Sequence, residues 1–204
     1  EQESAWQSAE VDALYRLAAA GVRVPTPYNF HAGVLLMELL TDAAGEPAPR
    51  LNDVLLSEAL ARQFHAILIR QVVRMLCPGI VHGDLSEYNV LVDSEGPVII
   101  DLPQAMDAAA NNNARRILER DVDNLSAYFG QFAPDLLSSN YGREIWLRYE
   151  AGTLHPESVL EGHVPLVEKT ADLDEVMQVI DAASDEEAAR RARQEAVRLG
   201  GRTV

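Results

Sequence analysis

The middle of this 204-residue chain carries the pattern of a β-hairpin, and this pattern constrains the fold more than any other feature of the sequence. Two short apolar runs, Asn89–Val92 and Val98–Ile100, flank the turn sequence Asp93-Ser-Glu-Gly96, whose glycine can adopt a positive φ. Antiparallel pairing brings the start of one strand next to the end of the other. We therefore expect Asn89 and Asp101, which stand at these two ends, to lie side by side.

The polar residues around the hairpin have the types and the spacing that phosphoryl transfer requires. Asp84 follows His82 by two residues and precedes Asn89 by five, on an irregular loop that leads into the hairpin. Phosphoryl transfer needs a carboxylate that holds the incoming hydroxyl group and oxygen ligands that hold a metal ion on the nucleotide phosphates. Asp84 suits the first task. The amide of Asn89 and the carboxylate of Asp101 suit the second, which predicts ATP with Mg²⁺ or Mn²⁺ as cofactors.

A purely structural interpretation of the same residues is that Asp84 and Asn89 form turns through hydrogen bonds between side chain and backbone. This interpretation does not explain why an acidic residue, Asp101, ends the apolar run Val98–Ile100. We therefore prefer the catalytic interpretation.

Several motifs resemble those of a known kinase family. The sequence His82-Gly-Asp-Leu-Ser-Glu-Tyr-Asn89 looks like the catalytic loop of the RIO family of atypical serine/threonine protein kinases, and Ile100-Asp-Leu-Pro-Gln104 resembles the metal-binding segment of that family. Leu118-Glu-Arg-Asp-Val122 is similar to the helix that follows, and residues 6–27 resemble the regulatory helix and the turn after it. The resemblance covers about residues 6–150.

The resemblance implies an α+β chain with the bilobal fold of protein kinases. It places a remaining part of the N-lobe, with the regulatory helix and the last strands, at residues 1–40, so that this lobe is incomplete. A mostly helical C-lobe with the catalytic-loop hairpin follows at residues 41–150. Residues 151–204, which the resemblance does not cover, are expected to form a tail that is irregular and then helical. Because the one lysine of the chain, Lys169, lies in this tail, we expect a glycine-rich strand pair and the ATP-binding lysine to precede Glu1 in the complete protein.

The resemblance also implies roles for individual side chains. Asp84 would be the catalytic base, Asn89 and Asp101 would hold the metal ion, and Asp101 would also carry the transient phosphate found in some family members. Glu10 would be the acidic partner of the ATP-binding lysine, and Ser86 takes the place of a phosphate-contacting lysine of ordinary kinases. The adenine base would contact four further residues, which are Met37 at the back of the pocket and the hinge residues Glu38, Leu39 and Leu40.

Two further positions concern the catalytic loop itself. The resemblance implies that Asp121 anchors this loop by accepting backbone hydrogen bonds. Ordinary protein kinases have an arginine after the loop histidine, whereas this chain has Gly83. That arginine usually contacts a phosphorylated activation loop, so we expect that loop phosphorylation does not control this protein.

Together these features predict an ATP- and Mg²⁺-dependent serine/threonine protein kinase, acting by autophosphorylation, on another protein, or as an ATPase switch. The first alternative is a small-molecule phosphotransferase of the aminoglycoside or choline kinase type, which shares the fold and a similar loop. Those enzymes usually have His-Pro or a close variant after Asp-Leu, where this chain has Ser86-Glu-Tyr88. The second alternative is a non-catalytic assembly module, which the missing lysine motivates.

Charge and composition bound the partners and the location. The formal net charge of −15 makes direct nucleic-acid binding an unfavoured function, because phosphate contacts need clustered Lys and Arg. Some RIO proteins act in maturation of the small ribosomal subunit, so the resemblance still allows a ribosome-associated protein substrate. The longest apolar stretches, such as residues 33–37, are far shorter than a membrane span. Cys77 is the single cysteine, which excludes an internal disulfide and favours a cytoplasmic protein.

Apolar periodicity and turn signals predict the remaining elements. The apolar positions of residues 54–76 recur every three or four residues, which is typical of a helix with one buried face. Helices are also expected at residues 4–20, 114–130, 135–150, 172–183 and 184–199, and strands at residues 28–31 and 34–40.

Overall fold

The structure is a computed structural model that describes residues 2–163. Lys169 and the helices predicted at residues 172–183 and 184–199 lie outside this range. The helices within it are α1 Gln2–Ala19, α2 Glu58–Leu76, α3 Ala114–Gly130 and α4 Tyr141–Glu150. The strands are β1 Pro27–His31, β2 Val34–Met37, β3 Ile80–Val81, β4 Val90–Asp93, β5 Gly96–Ile99 and β6 Met106–Asp107.

The strands form three antiparallel pairs, β1 with β2, β3 with β6, and β4 with β5. This combination of helices and short strands confirms the α+β class that the sequence predicts. None of the helices in the described range has the length and the apolar character that crossing a lipid bilayer requires.

One apolar core joins the helices to the central hairpin. Leu17 of α1, Leu68 of α2, Ile99 of β5, Leu125 of α3 and Ile145 of α4 all belong to it, and each has an exposed fraction of 0%. Apolar area removed from water stabilises the fold by about 25 cal/mol per Å². The hairpin that carries the predicted site is therefore held on the same core as the surrounding helices.

Helix α2 begins four residues later than the sequence predicts. Ser57 is its N-terminal cap, because its hydroxyl oxygen accepts a hydrogen bond from the N–H of Leu60 at 3.2 Å. The predicted start at residue 54 is wrong, since residues Leu51–Asp53 form a 3₁₀ turn and the cap comes only at Ser57. The predicted buried face is confirmed by the core residues Phe64, Leu68, Val72 and Met75.

The second strand of the first hairpin is shorter than predicted. Strand β2 ends at Met37, which pairs with Pro27 at the start of β1. The N–H of Glu38 still donates to the carbonyl of Thr26 at 2.9 Å, but the N–H of Thr26 donates to the side-chain carboxylate of Glu38 at 3.0 Å instead of to its backbone carbonyl. Residues 38–40 therefore leave the strand as a connecting segment.

Helix α4 also starts later than predicted, at Tyr141 instead of residue 135. Residues Pro134–Ser138 form a separate 3₁₀ turn, in which proline suits the first turn because its missing N–H would have no partner there. The carboxylate of Glu144, which is buried in α4, accepts hydrogen bonds from the N–H groups of Glu161 at 3.0 Å and Gly162 at 2.9 Å. The segment after α4 is thereby tied back onto this helix.

A buried histidine links α2 to α3. The Nε2 atom of His65 lies 3.2 Å from the Oγ atom of Ser126, and its ring stands edge-on to Phe129 at 5.7 Å between centroids. Burial disfavours the charged imidazolium and lowers the pKa of His65 to about 4. The imidazole is therefore neutral in the folded protein near pH 7.

This shift predicts a loss of stability in mild acid. The unfolded chain protonates His65 near its ordinary pKa of 6.5, while the folded protein stays neutral until about pH 4. The contribution of His65 is thus present above pH 6.5 and is lost as the pH falls, by about 3 kcal/mol at pH 4. Urea unfolding of the His65→Gln variant between pH 7 and pH 4 should show a flatter pH dependence than the wild type. Parallel curves would contradict this expectation.

Candidate active site

The central hairpin brings the two predicted metal ligands together. Val90 pairs with Ile99 across the hairpin, and the N–H of Ile100 donates to the carbonyl of Asn89 at 3.0 Å. Asp101 follows Ile100 directly, so its backbone starts next to that of Asn89. This confirms the convergence that the antiparallel pattern predicts.

Hydrogen bonds with the side chain of Asp93 and with the segment after α1 fix the conformation of the hairpin turn. Asp93 pairs with Gly96, and its Oδ1 atom accepts hydrogen bonds from the N–H groups of Glu95 at 2.8 Å and of Gly96 at 3.0 Å. The guanidinium of Arg23 donates to the Oδ2 atom of Asp93 at 2.6 Å, and the N–H of Ile99 donates to the carbonyl of Arg23 at 2.9 Å. The hairpin therefore has little freedom to change its register.

Asp84 lies against the side chain of Asn89. The Nδ2 atom of Asn89 donates to the backbone carbonyl of Asp84 at 2.8 Å and lies 3.4 Å from its carboxylate oxygen Oδ2. Because the amide nitrogen is used in this way, the amide oxygen of Asn89 is the atom left for a cation. Asn89 is 7% exposed, whereas Asp84 is open to solvent.

Asp101 is held in an unusual backbone conformation. Its φ is +68°, in the left-handed region that aspartate tolerates better than most residues. Such a conformation costs on the order of 1–3 kcal/mol and is found mainly at binding and catalytic sites. The conformation directs the chain sharply away from β5 at the point where the predicted ligand stands.

A cleft of about 520 Å³ opens between α1, the segment after β2 and the central hairpin. Asp84 and Ser86 are not among the residues that line it, and the carbonyl of Ser86 instead accepts the N–H of Asn89 at 3.0 Å. The phosphate-binding role of Ser86 stays a prediction. The cleft is lined by the other predicted cofactor-binding residues, which are Glu10, Met37, Glu38, Leu39, Leu40, Asn89 and Asp101.

Two carboxylates, those of Glu10 and Asp101, line this cleft and repel each other. Burial raises the pKa of the Glu10 carboxyl, and the negative charge of Asp101 raises it further. Among residues 10–163, whose side chains the structure describes, no group of three or more His, Cys, Asp or Glu is placed to hold a metal ion. Asn89 and Asp101 supply one amide and one carboxylate oxygen, a partial set that suits Mg²⁺ bound through phosphate oxygens and water. The residues present therefore fit a metal ion that arrives with a nucleotide.

The predicted catalytic loop is anchored through Asp121, as the resemblance implies. The Oδ2 atom of Asp121 accepts the N–H of Gly83 at 2.9 Å, and Arg120 contacts both Asp121 and the carbonyl of Gly83. Burial raises the pKa of Asp121, although the bonds from Arg120 and Gly83 oppose this shift. Arg120 was missed from the sequence, where only its position beside Asp121 could have indicated it.

His82 organises the loop from the other side. Its Nε2 atom lies 3.1 Å from the carbonyl of Ile100, and its Nδ1 atom accepts the N–H of Asp84 at 3.3 Å. Both contacts are satisfied by one neutral tautomer, with the proton on Nε2. Burial lowers the pKa of His82, which favours this neutral form. The imidazole thus connects the segment of Asp84 to the segment of Asp101.

Steric hindrance explains why glycine, and not the arginine of ordinary kinases, occupies position 83. Its φ is +90°, and a Cβ atom at this position would collide with the carbonyl oxygen of Gln104. A side chain here would therefore displace either the catalytic loop or the segment after Asp101.

We expect the Gly83→Ala variant to lower the free energy of unfolding by about 2–4 kcal/mol, because it combines a strained φ with a backbone collision. The matched control is Gly45→Ala, since Gly45 has a φ of +83° but no atom within 4 Å of an added Cβ. The control should lose only about 1 kcal/mol. Equal losses in urea unfolding of the two variants would show that the contact with Gln104 does not matter.

Arg50 was also missed from the sequence. It lines the cleft, and its Nη1 atom donates to the carbonyl of Tyr88 at 2.8 Å. Arg50 forms an isolated antiparallel bridge with Leu91, about forty positions further along the chain. No local pattern around residues 47–50 indicates this contact.

Comparison with known proteins identifies the family of this chain. The family described as RIO domain matches residues 1–141. The RIO-type serine/threonine-protein kinase Rio1 of Haloferax volcanii is 37% identical over 132 residues, which cover 64% of this chain and 44% of that protein. The Rio1 kinase of Thermoplasma acidophilum is 38% identical over 124 residues, which cover 61% of this chain and 63% of that protein.

A human protein is also similar to this chain. The human serine/threonine-protein kinase RIO1 is 34% identical over 125 residues, which cover 61% of this chain and 22% of that protein. The chain thus spans less than two thirds of the length of each of these three relatives. Since the RIO domain matches residues 1–141, more than half of the chain, the chain belongs to the RIO family of atypical serine/threonine protein kinases.

Proposed function

We propose that the complete protein is an ATP- and Mg²⁺-dependent kinase that transfers the γ-phosphate of ATP to serine or threonine hydroxyl groups. The observation that carries this proposal is the convergence of Asn89 and Asp101 at one end of an open cleft, with Asp84 bonded to Asn89. The names of the relatives, all serine/threonine-protein kinases, support the reaction class.

The segment after β2 would bind the adenine base. The carbonyl of Glu38 and the N–H of Leu40 make no backbone hydrogen bond within the described residues, and both residues line the cleft. A carbonyl and an N–H two residues apart can pair with the donor and acceptor edge of adenine. The side chain of Glu38 is meanwhile held by the N–H of Thr26 at 3.0 Å and its hydroxyl at 2.7 Å. Met37 and Leu39 would contact the base from the cleft wall.

The other end of the cleft would hold the metal ion and the phosphates. Asn89 would contribute its amide oxygen, and Asp101 its carboxylate. When bound, Mg²⁺ offsets the charge of the phosphate oxygens and fixes the position of the γ-phosphate. Glu10 would face an ATP-binding lysine, whose positive charge would also relieve its repulsion from Asp101.

Asp84 would act on the attacking hydroxyl group. The hydroxyl oxygen forms a bond to the γ-phosphorus, the bond from that phosphorus to the bridging oxygen of ADP breaks, and the hydroxyl proton passes to the carboxylate of Asp84. The exposure of Asp84 allows a serine or threonine of another protein, or of the chain itself, to reach it. His82 would keep its proton and fix the backbone of the loop.

Alternative activities and locations remain predictions of the sequence. If Asp101 were transiently phosphorylated and the phosphate group were then lost by hydrolysis, the protein would act as an ATPase switch and would not transfer phosphate to serine. A ribosome-associated protein substrate and a cytoplasmic location also stay predictions. The same cleft is also compatible with a small-molecule phosphotransferase or with a non-catalytic assembly module, neither of which would phosphorylate proteins.

The test uses the complete protein with Mg²⁺ and ATP labelled on the γ-phosphate. We expect acid-stable label on serine or threonine of the protein or of an added protein acceptor. Label that hydroxylamine removes would instead indicate an acyl phosphate, as on Asp101. Transfer only to choline or to aminoglycosides would contradict the proposal, and so would the absence of ATP binding.

A further inference from the structure

Within residues 2–163, Arg50 is the one cationic side chain that lines the cleft. Three carboxylates, those of Glu10, Glu38 and Asp101, lie in the same lining. A nucleoside triphosphate carries several negative charges, and these are stabilised by basic side chains as well as by the metal ion. Arg50 is therefore the described side chain with the charge that the nucleotide needs.

The backbone holds Arg50 in a fixed place in the cleft wall. Arg50 pairs with Leu91 of β4 in the isolated bridge, and the N–H of Val92 donates to the carbonyl of Pro49 at 2.9 Å. On its other side, the N–H of Asp53 donates to the carbonyl of Arg50 at 2.9 Å. These bonds tie the residue to the same hairpin that carries the metal ligands.

The side chain of Arg50 is held by the residue next in sequence to a proposed metal ligand. Its Nη1 atom is bonded to the carbonyl of Tyr88, the residue immediately before Asn89. A guanidinium has five N–H donors in a rigid plane, and the described residues use only this contact. The remaining donors are available to oxygen atoms of a ligand in the cleft that Arg50 lines.

We propose that Arg50 binds oxygen atoms of the sugar–phosphate part of the nucleotide, between the adenine contacts and the metal site. This inference rests on the proposed function and adds a nucleotide-binding residue to it. The residue would distinguish a nucleotide from a free base, and it would connect the adenine-binding segment to the catalytic loop through Tyr88.

The test measures the affinities of adenine, adenosine, AMP and a non-hydrolysable ATP analogue with Mg²⁺, by calorimetric titration of the complete protein. In Arg50→Gln we expect the ATP analogue to bind about 10- to 100-fold more weakly, which is the effect of losing hydrogen bonds from a charged donor. Adenine should bind unchanged. Arg50→Lys, which keeps the charge without the planar fork, should recover part of the affinity. Arg70→Gln is the matched control, since Arg70 is an exposed arginine of α2 that lines a different groove.

The four ligands separate the possible outcomes. If adenosine is the smallest ligand whose affinity falls in Arg50→Gln, Arg50 binds the sugar oxygens. If AMP or the ATP analogue is the smallest such ligand, Arg50 binds the phosphates. Both outcomes support the inference. If the wild type binds the ATP analogue and Arg50→Gln binds it equally well, the inference about Arg50 is overturned. The same holds if Arg50→Gln weakens the binding of adenine as much as that of the analogue. Neither outcome affects the proposed function. A wild type that binds none of the phosphorylated ligands would overturn the proposed function and this inference with it.

Discussion

The Asp84→Asn variant is expected to transfer phosphate about 10²–10⁴-fold more slowly than the wild type, the range that a positioned general base contributes. Asparagine keeps the size of the side chain but cannot accept the hydroxyl proton. Asp84 does not line the cleft, and its bond to Asn89 uses mainly the backbone carbonyl, at 2.8 Å. The affinity for Mg²⁺ and ATP should therefore change little.

The two parts of this prediction are measured separately, by the initial rate of label transfer and by nucleotide titration. Asp12→Asn is the matched control, because Asp12 is an exposed aspartate of α1 whose ion pair with Arg16 spans 3.7 Å on the surface. The control should keep the wild-type rate. Unchanged transfer by Asp84→Asn would remove Asp84 from the mechanism.

The Asp101→Asn variant should leave the stability of the free protein largely intact but remove its stabilisation by nucleotide. Asparagine tolerates the φ of +68° and removes the charge that raises the pKa of Glu10. We expect the free protein to keep its stability or gain slightly, and the pKa of Glu10 to fall towards its ordinary value. The stabilisation by Mg²⁺ and ATP should disappear, a loss of about 2.7 kcal/mol at a ligand concentration 100 times the Kd.

Thermal unfolding with and without Mg²⁺ and an ATP analogue measures this difference in one experiment. The Asp12→Asn control should show the full increase in Tm on adding the nucleotide. An Asp101→Asn protein that is stabilised as strongly as the wild type would contradict the assignment of a metal ligand. A free Asp101→Asn protein that is much less stable would indicate that the carboxylate has a structural role instead.

The hairpin, and the position of Asn89 and Asp101 at its open end, could be predicted because local rules determine them. The alternation of apolar runs around Asp93-Ser-Glu-Gly96 fixes the register, and the register alone places Asn89 beside the residue before Asp101. The buried face of α2 follows in the same way from a spacing of three and four residues. The anchoring role of Asp121 came from the resemblance, and the bond to Gly83 confirms it.

The features that the sequence did not predict depend on contacts between distant residues. The late start of α4 accompanies the bonds from Gly162 to Glu144, 18 residues apart. The place of Arg50 depends on its bridge to Leu91, and the neutral state of His65 depends on burial against Phe129 of α3. Periodicity describes one element at a time, so it gives no information about such pairs.

The central claim is that Asn89 and Asp101 hold a divalent ion that carries a nucleotide. Titration of the complete protein with Mn²⁺, followed by the electron paramagnetic resonance signal of the free ion, tests it most directly. With a non-hydrolysable ATP analogue present, the wild type should bind about one Mn²⁺ tightly, and Asn89→Ala and Asp101→Asn should each lose this binding. Nucleotide-dependent Mn²⁺ binding that survives in both variants would contradict the account.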